Sequence, residues 1–142
     1  MLISTKGRYA LRVMIDLAEH VGGGYIPLHD IAARQKISEK YLESILSVLS
    51  KARYLEGLRG KGGGYRLTRP PETYTVGSIL RLTEGSLAPV DCLKQPDNIC
   101  PRASSCRTLA MWREFGELTD RFFDGKTLAD LAASPDGGDF VI

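Results

Sequence analysis

A chain of 142 residues, 43% hydrophobic and 25% charged with a net charge of +2, has the length and composition of one globular domain, or one domain plus a dimerisation arm, large enough for a hydrophobic core. No apolar run reaches membrane length, because Lys6, Arg8, Arg12 and Asp16 interrupt the first candidate. The N-terminus also lacks the sustained apolar stretch of a signal peptide, so a cytoplasmic protein with reduced thiols is expected.

The small net charge conceals an asymmetry. Residues 1–70 carry twelve Lys and Arg against six Asp and Glu, and residues 71–142 carry seven against eleven. A polyanion would be met by the first half, with the acidic half turned away from it.

Residues 5–20 predict a helix with Tyr9, Ala10, Val13, Met14, Leu17 and Ala18 on its apolar side. Gly22–Gly24 ends it. His20 and His29 each stand alone beside a helix end and read as surface or capping residues. A second helix is expected over Leu28–Gln35, with Leu28, Ile31 and Ala32 on one face. A turn at Lys36–Ile37 leads to Ser38, a good N-cap, with Glu39 in the first turn of a third helix. Tyr41, Leu42, Ile45, Leu46, Val48 and Leu49 form its apolar stripe and leave Ser38, Lys40, Glu43, Ser44 and Ser47 for another face. Two helices this short, joined this tightly, match the helix-turn-helix, whose second helix enters the major groove of DNA.

The arms of a β-hairpin follow, Tyr54–Leu58 and Tyr65–Thr68, around the tip Arg59-Gly-Lys-Gly-Gly-Gly64. Arg59, Lys61 and Arg66 make it cationic, as suits a wing on phosphates or a minor groove. A P-loop is excluded because Gly62 follows Lys61 where Ser or Thr belongs, and the dinucleotide pattern fails at Tyr65. The fold class is therefore mainly α: a winged helix-turn-helix over residues 1–85 with a long C-terminal dimerisation helix.

Pro70-Pro71 punctuates the end of the wing. Thr75 caps a helix through Val76, Ile79, Leu80 and Leu82, which Gly85 ends. Residues 86–103 have no periodicity, contain Pro89, Pro96 and Pro101, and open a cysteine loop that runs to residue 106. Residues 104–123 predict the longest helix, with Leu109, Trp112, Phe115, Leu118 and Phe122 recurring at steps of three or four. A stripe with three aromatic side chains is expected to meet the same helix of a second copy, giving a homodimer. Thr127 and Asp130 frame a last short helix to about residue 133 in capping-box spacing, and residues 134–142 read as a mobile tail.

The three cysteines are spaced Cys92-x7-Cys100-x5-Cys106. An odd count in a reducing compartment argues against a disulfide framework, and no CxxC or HxxxH pair suggests structural zinc. Three thiolates in one loop can hold an iron–sulfur cluster if a fourth ligand comes from elsewhere. Cys106 is expected at the start of the long helix, where the helix dipole favours the thiolate. No acid–base pair or nucleophile–base arrangement stands out, so an enzyme is not expected.

The segments STKGRYALRVMIDLA, IPLHDIAARQKISEKYLESIL and LRGKGGGYRL, followed by TVGSILRLTEG, the cysteine loop and TLADL, resemble the IscR/NsrR/CymR family of bacterial transcription regulators (the Rrf-two family) over nearly the whole chain. The resemblance implies a homodimer on a pseudo-palindromic double-stranded DNA operator. It places Ser38, Lys40, Tyr41, Glu43 and Ser44 at the major groove, Arg59, Gly60 and Lys61 at the minor groove or backbone, and Ser4, Thr5 and Lys6 near DNA. It further implies a 2Fe–2S or 4Fe–4S cluster on Cys92, Cys100 and Cys106. IscR-like members have a histidine three residues beyond the last cysteine, where this chain has Leu109. NsrR-like members use an acidic residue near the N-terminus, where this chain has Arg8. The fourth ligand stays open between Asp91, a residue of the partner chain and a small exogenous ligand. Two other readings stand beside this one. One is a cluster-free, CymR-like regulator controlled by a metabolic protein partner or thiol oxidation. The other is an iron–sulfur carrier or electron-transfer protein, against which the cationic wing argues.

Overall fold

Ser4 starts α1 (Thr5–Glu19) in the computed structural model, which describes residues 3–97 and 100–133. Its hydroxyl accepts from the Gly7 N–H. The buried stripe of Ala10, Val13, Met14 and Leu17 makes this helix one wall of the core. The second helix, α2 (Leu28–Gln35), ends where Lys36 takes a left-handed backbone conformation. Ile37 tucks into the core, and Ser38 caps α3 (Glu39–Lys51) by accepting from the Tyr41 N–H at 3.2 Å. Leu42, Ile45, Leu46 and Leu49 of α3 and Ile31 of α2 complete that core. The helix-turn-helix lies where the spacing predicts it.

Strands β1 (Leu55–Leu58) and β2 (Gly64–Leu67) pair antiparallel, Leu55 opposite Leu67 and Leu58 opposite Gly64. A lone hairpin is marginal in water, and two contacts secure this one. Leu55 enters the core, and Ile26 exchanges two 2.8 Å main-chain hydrogen bonds with Tyr65. That second contact requires glycine at position 64. Its φ is +145°, and a Cβ there would lie 2.1 Å from the Ile26 carbonyl oxygen.

Beyond the wing, Tyr74 is fully buried. Its hydroxyl accepts from the N–H groups of Thr68 and Arg69, both at 3.1 Å, and donates to the Tyr54 carbonyl at 2.8 Å. Tyr74→Phe keeps the ring and strands these main-chain groups, so unfolding free energy should fall by about 1–3 kcal/mol. A denaturant midpoint equal to that of the wild type would show that water replaces the hydroxyl.

Thr75 caps α4 (Val76–Glu84) by accepting from the Ser78 N–H, and the helix packs along α1. Leu87 joins Val76 and Leu80 in a second buried cluster, which anchors the start of the following loop. The loop then makes 3-10 turns at Asp91–Leu93 and Ala103–Ser105.

The last long helix, α5 (Leu109–Asp124), begins five residues later than the expected 104. Residues 104–108 are Ser, Ser, Cys, Arg and Thr, mostly weak helix formers, and the buried stripe begins only with Leu109. The chain closes with α6 (Leu128–Ala133), which carries the expected reciprocal cap: Asp130 N–H to Thr127 Oγ1 at 3.1 Å and Thr127 N–H to Asp130 Oδ2 at 3.0 Å. Leu128 is wholly buried in the main core beside α1. The expected tail, residues 134–142, lies outside the described residues. Among those described, no helix is long and apolar enough to cross a membrane. The fold is a mainly helical winged helix-turn-helix with a long C-terminal helix.

Candidate nucleic-acid interface and cysteine loop

The outer face of α3 exposes Ser38, Lys40, Glu43 and Ser44 while Leu42, Ile45, Leu46 and Leu49 hold its inner face. Tyr41 is half-buried, its ring 5.8 Å from that of Tyr9, and Ser44 Oγ donates to the Tyr41 carbonyl at 2.7 Å. The wing tip turns through Gly60 and Gly62, both at positive φ, closed by the Gly63 N–H on the Gly60 carbonyl at 3.0 Å. Arg59 and Lys61 are exposed there. Arg66 contributes less charge than its position suggests, because it faces Glu56 across the strands, bonds to that carboxylate and lies over the Tyr25 ring.

The N-terminal turn is engaged in a way the sequence did not indicate. Ser4 donates from both its N–H and its hydroxyl to Glu84 Oε1, at 2.9 and 2.7 Å. Thr5 Oγ1 accepts from Arg8 at 3.1 Å. Lys6 is the one of the three with a charge to offer a phosphate.

A second group missed by periodicity docks the helix-turn-helix onto α1. Asp16 is 2% exposed and accepts a bidentate pair from Arg34, at 2.7 and 2.9 Å, and a third hydrogen bond from Gln35 at 2.9 Å. His20 Nδ1 lies 3.6 Å from the same carboxylate. Burial pushes the Asp16 carboxyl up, but the hydrogen bonds from Arg34 and Gln35 and the neighbouring positive charge outweigh it, leaving the carboxyl below its ordinary 3.8. Arg12 reaches from α1 to the side chain and carbonyl of Gln35. Arg34 and Gln35 immediately precede the turn into α3, so this network ties the end of α2 to α1 just ahead of that helix. The available signal was an acid in the middle of an otherwise apolar α1 stripe.

On α5, Leu109 is buried in its own chain and Trp112 is half-buried, whereas Phe115, Leu118 and Phe122 are exposed. Met111, which the periodicity left out, is exposed beside them. Arg81 ties α5 to α4, bonding to Asp124 at 2.8 and 3.1 Å and to Asp120 at 2.9 Å. The helices approach so closely that a Cβ on Gly77 would sit 2.0 Å from Asp124 Oδ1.

Cys92 and Cys100 are half-buried and Cys106 is exposed. Cys106 lies three residues ahead of α5 rather than at its first turn. Its thiol is nevertheless held below the ordinary 9.0, by hydrogen bonding to the Thr108 hydroxyl and main chain and then to the Leu109 N–H. Asp91 pairs with Lys94 at 2.8 Å, which holds its carboxyl below the usual carboxylate range. By donor chemistry the loop fits a thiolate-ligated iron–sulfur cluster. By arrangement it does not, since among the described residues no three His, Cys, Asp or Glu side chains stand together to hold a metal ion. Cluster binding would therefore go with rearrangement of the loop.

Comparison with known proteins gives a consistent result. A family model named Rrf2, described as an iron-dependent transcriptional regulator, matches residues 3–134. The chain is 37% identical over 131 residues to the HTH-type transcriptional regulator IscR of Aliivibrio salmonicida, covering 92% of this chain and 77% of that one. Among solved structures it is similar to CymR, the global cysteine regulator of B. subtilis, with a TM-score of 0.78, 37% identity and coverage of 96% and 99%. It is also similar to T. potens IscR, with a TM-score of 0.73, 38% identity and coverage of 92% and 85%.

Proposed function

This chain belongs to the Rrf2 family of transcriptional regulators, and from that premise we propose that it is a homodimeric DNA-binding regulator whose operator affinity answers to its cysteine loop. The observation that carries the DNA reading is the exposed polar face of α3 beside a glycine-tipped cationic wing, both in the basic half of the chain. Ser38, Lys40, Tyr41, Glu43 and Ser44 supply donors and acceptors suited to base edges in the major groove. Glu43 repels phosphate and suits a cytosine amino group. Arg59, Gly60 and Lys61 reach the minor groove or the backbone, and Lys6 adds a phosphate contact. Dimerisation through α5 would set the spacing of two recognition helices on a pseudo-palindrome.

The family description and the relatives named IscR support control by an iron–sulfur cluster on Cys92, Cys100 and Cys106, the fourth ligand being open. Such a group supplies a ligation state that oxygen, nitric oxide or iron supply can alter. The chain's own part is mechanical: the loop joins α4 to α5, and Arg81 clamps those helices together. A change in loop order thus bears on the helix proposed to set dimer geometry. A cluster-free regulator, answering to a protein partner or to thiol oxidation, is the second reading. The observation that favours it is the likeness to CymR, the global cysteine regulator of B. subtilis.

Absorption and Mössbauer spectra of protein purified without oxygen test the cluster. Selection from random duplexes tests the DNA reading, run on that protein, on apo-protein and on a Cys92→Ala/Cys100→Ala/Cys106→Ala variant. An iron–sulfur spectrum, a palindromic motif and an affinity difference of about tenfold between loaded and apo forms, equal to about 1.4 kcal/mol, are expected. Colourless protein with equal affinities for all three forms would transfer the assignment to the cluster-free reading. Enrichment of no motif by any form would remove the DNA reading.

A further inference from the structure

An open cleft of about 740 Å³ lies between the C-terminal end of α1 and the base of the wing, within the size range of small-molecule sites. Leu17, Val21 and Ile26 make it apolar on the α1 side, and Pro70-Pro71 bounds it after the wing. Five side chains of the lining can carry charge: His20, Glu56, Arg66, Arg69 and Glu72. Glu56 and Arg66 are paired with each other, and His20 Nδ1 is held by the Asp16 carbonyl at 2.6 Å. Arg69 and Glu72 are left, both exposed and neither in an ion pair among the described residues. Arg69 is nevertheless held in place. Its guanidinium lies over the Tyr74 ring at 4.4 Å and the Tyr54 ring at 5.1 Å, and its N–H donates to the Tyr74 hydroxyl. Glu72 stands in the 3-10 turn Pro71–Thr73, whose first residue has a ring-fixed φ.

We infer that this cleft takes a free α-amino acid with an apolar side chain. Its carboxylate would meet Arg69, its ammonium Glu72, and its side chain Leu17, Val21 and Ile26. The charges decide the class. One unpaired cation and one unpaired anion in the same cleft are complementary to a zwitterion, whereas a plain anion would meet Glu72 and a plain cation Arg69. Two carboxylates in the lining also disfavour a phosphodiester strand. A guanidinium whose plane is fixed by aromatic rings presents its N–H edge as a ready fork for a carboxylate. Few polar groups beside an apolar wall are what orient and select a small ligand. The assignment stands apart from the DNA reading, because binding is measured on the protein alone. Ile26 also bonds to Tyr65 of β2, so the occupant lies against the joint between wing and core.

The test follows isotope-labelled full chain by NMR during titration with L-leucine, with leucinamide, which lacks the carboxylate, and with N-acetyl-leucine, which lacks the ammonium. For a ligand of about nine non-hydrogen atoms a dissociation constant of about 1 mM is expected. Either derivative should bind wild type about tenfold more weakly than leucine. Arg69→Gln should cost leucine about tenfold and leucinamide nothing further, and Glu72→Gln should cost leucine about tenfold and N-acetyl-leucine nothing further. Val21→Asp, at a position 61% exposed, should weaken leucine with the fold intact, which covers the case in which a change at Arg69 disturbs its packing. Three results would each overturn the inference. One is the absence of saturable leucine shifts at about twenty times the expected dissociation constant. The second is equal affinity for all three ligands, and the third is a loss in the variants that is the same for all three.

Discussion

Phe115→Glu is expected to sediment as a monomer, or to aggregate, under conditions in which the wild type sediments as a dimer. Met111, Phe115, Leu118 and Phe122 follow one another at steps of four, three and four residues, and are 51, 44, 51 and 61% exposed in the single chain. Scattered exposed apolar residues are ordinary, but four on one helical stripe mark a surface that associates. Burying side chains of this size contributes about 1.5–3 kcal/mol each, and a two-fold axis counts each twice. A carboxylate at the centre of such a seam removes that gain and adds a desolvation penalty of several kcal/mol. The combined loss, about 4 kcal/mol or more, corresponds to roughly a thousandfold in the dissociation constant. Phe115 lies outside the buried core of the single chain, so the variant should keep wild-type helical content. A wild type that is monomeric at micromolar concentration would eliminate the seam, and an unchanged dimer in the folded variant would place it on another face.

The second large effect is expected for Asp16→Ala. The substitution leaves Arg34 and Gln35 without their shared acceptor and uncouples the end of α2 from α1. Breaking a buried ion pair costs about 3–5 kcal/mol. Arg34 keeps 37% of its side-chain surface exposed and can rehydrate, which brings the expected loss to about 2–3 kcal/mol. For a chain of this size that lowers the melting temperature by roughly 8–12 °C. The effect depends on pH in a defined direction. The Asp16 carboxyl titrates below its ordinary 3.8 in the folded chain, so the stability it contributes is present above about pH 4 and is lost as pH falls through the lower folded value. The gap between wild type and Asp16→Ala should therefore narrow on acidification. Because the lost contacts lie just before α3, operator affinity should fall more than affinity for scrambled DNA. A variant within about 0.5 kcal/mol of wild type at neutral pH would show that the network is not what fixes the turn.

Asp16 also shows where reading the sequence runs out. The extents of α1, α2, α3 and α4 and the caps at Ser38, Thr75, Thr127 and Asp130 were legible because each depends on residues three or four positions apart. The wing was legible because positive φ and close main-chain approach restrict its tip to glycine. Membership of the chain in a regulator family could be read from the same short segments.

Interactions across the fold were not legible. Periodicity shows that a helix has an apolar stripe, but the packing of neighbouring elements decides which side of α5 is covered. Leu109 therefore went inside and Met111 outside. The break before α5 escaped notice because the Cys106 thiol bonds locally to the Thr108 hydroxyl and to the main chain of Thr108 and Leu109, without an apolar signal. Asp16 with Arg34, Ser4 with Glu84, and Arg81 with Asp120 and Asp124 join residues between 18 and 80 positions apart. Sequence alone specified these groups as charged or polar. The partner of each was decided only when tertiary packing brought distant elements together; for Asp16, 2% exposed, packing also excluded water, and a buried charge must then find its counterpart within the protein.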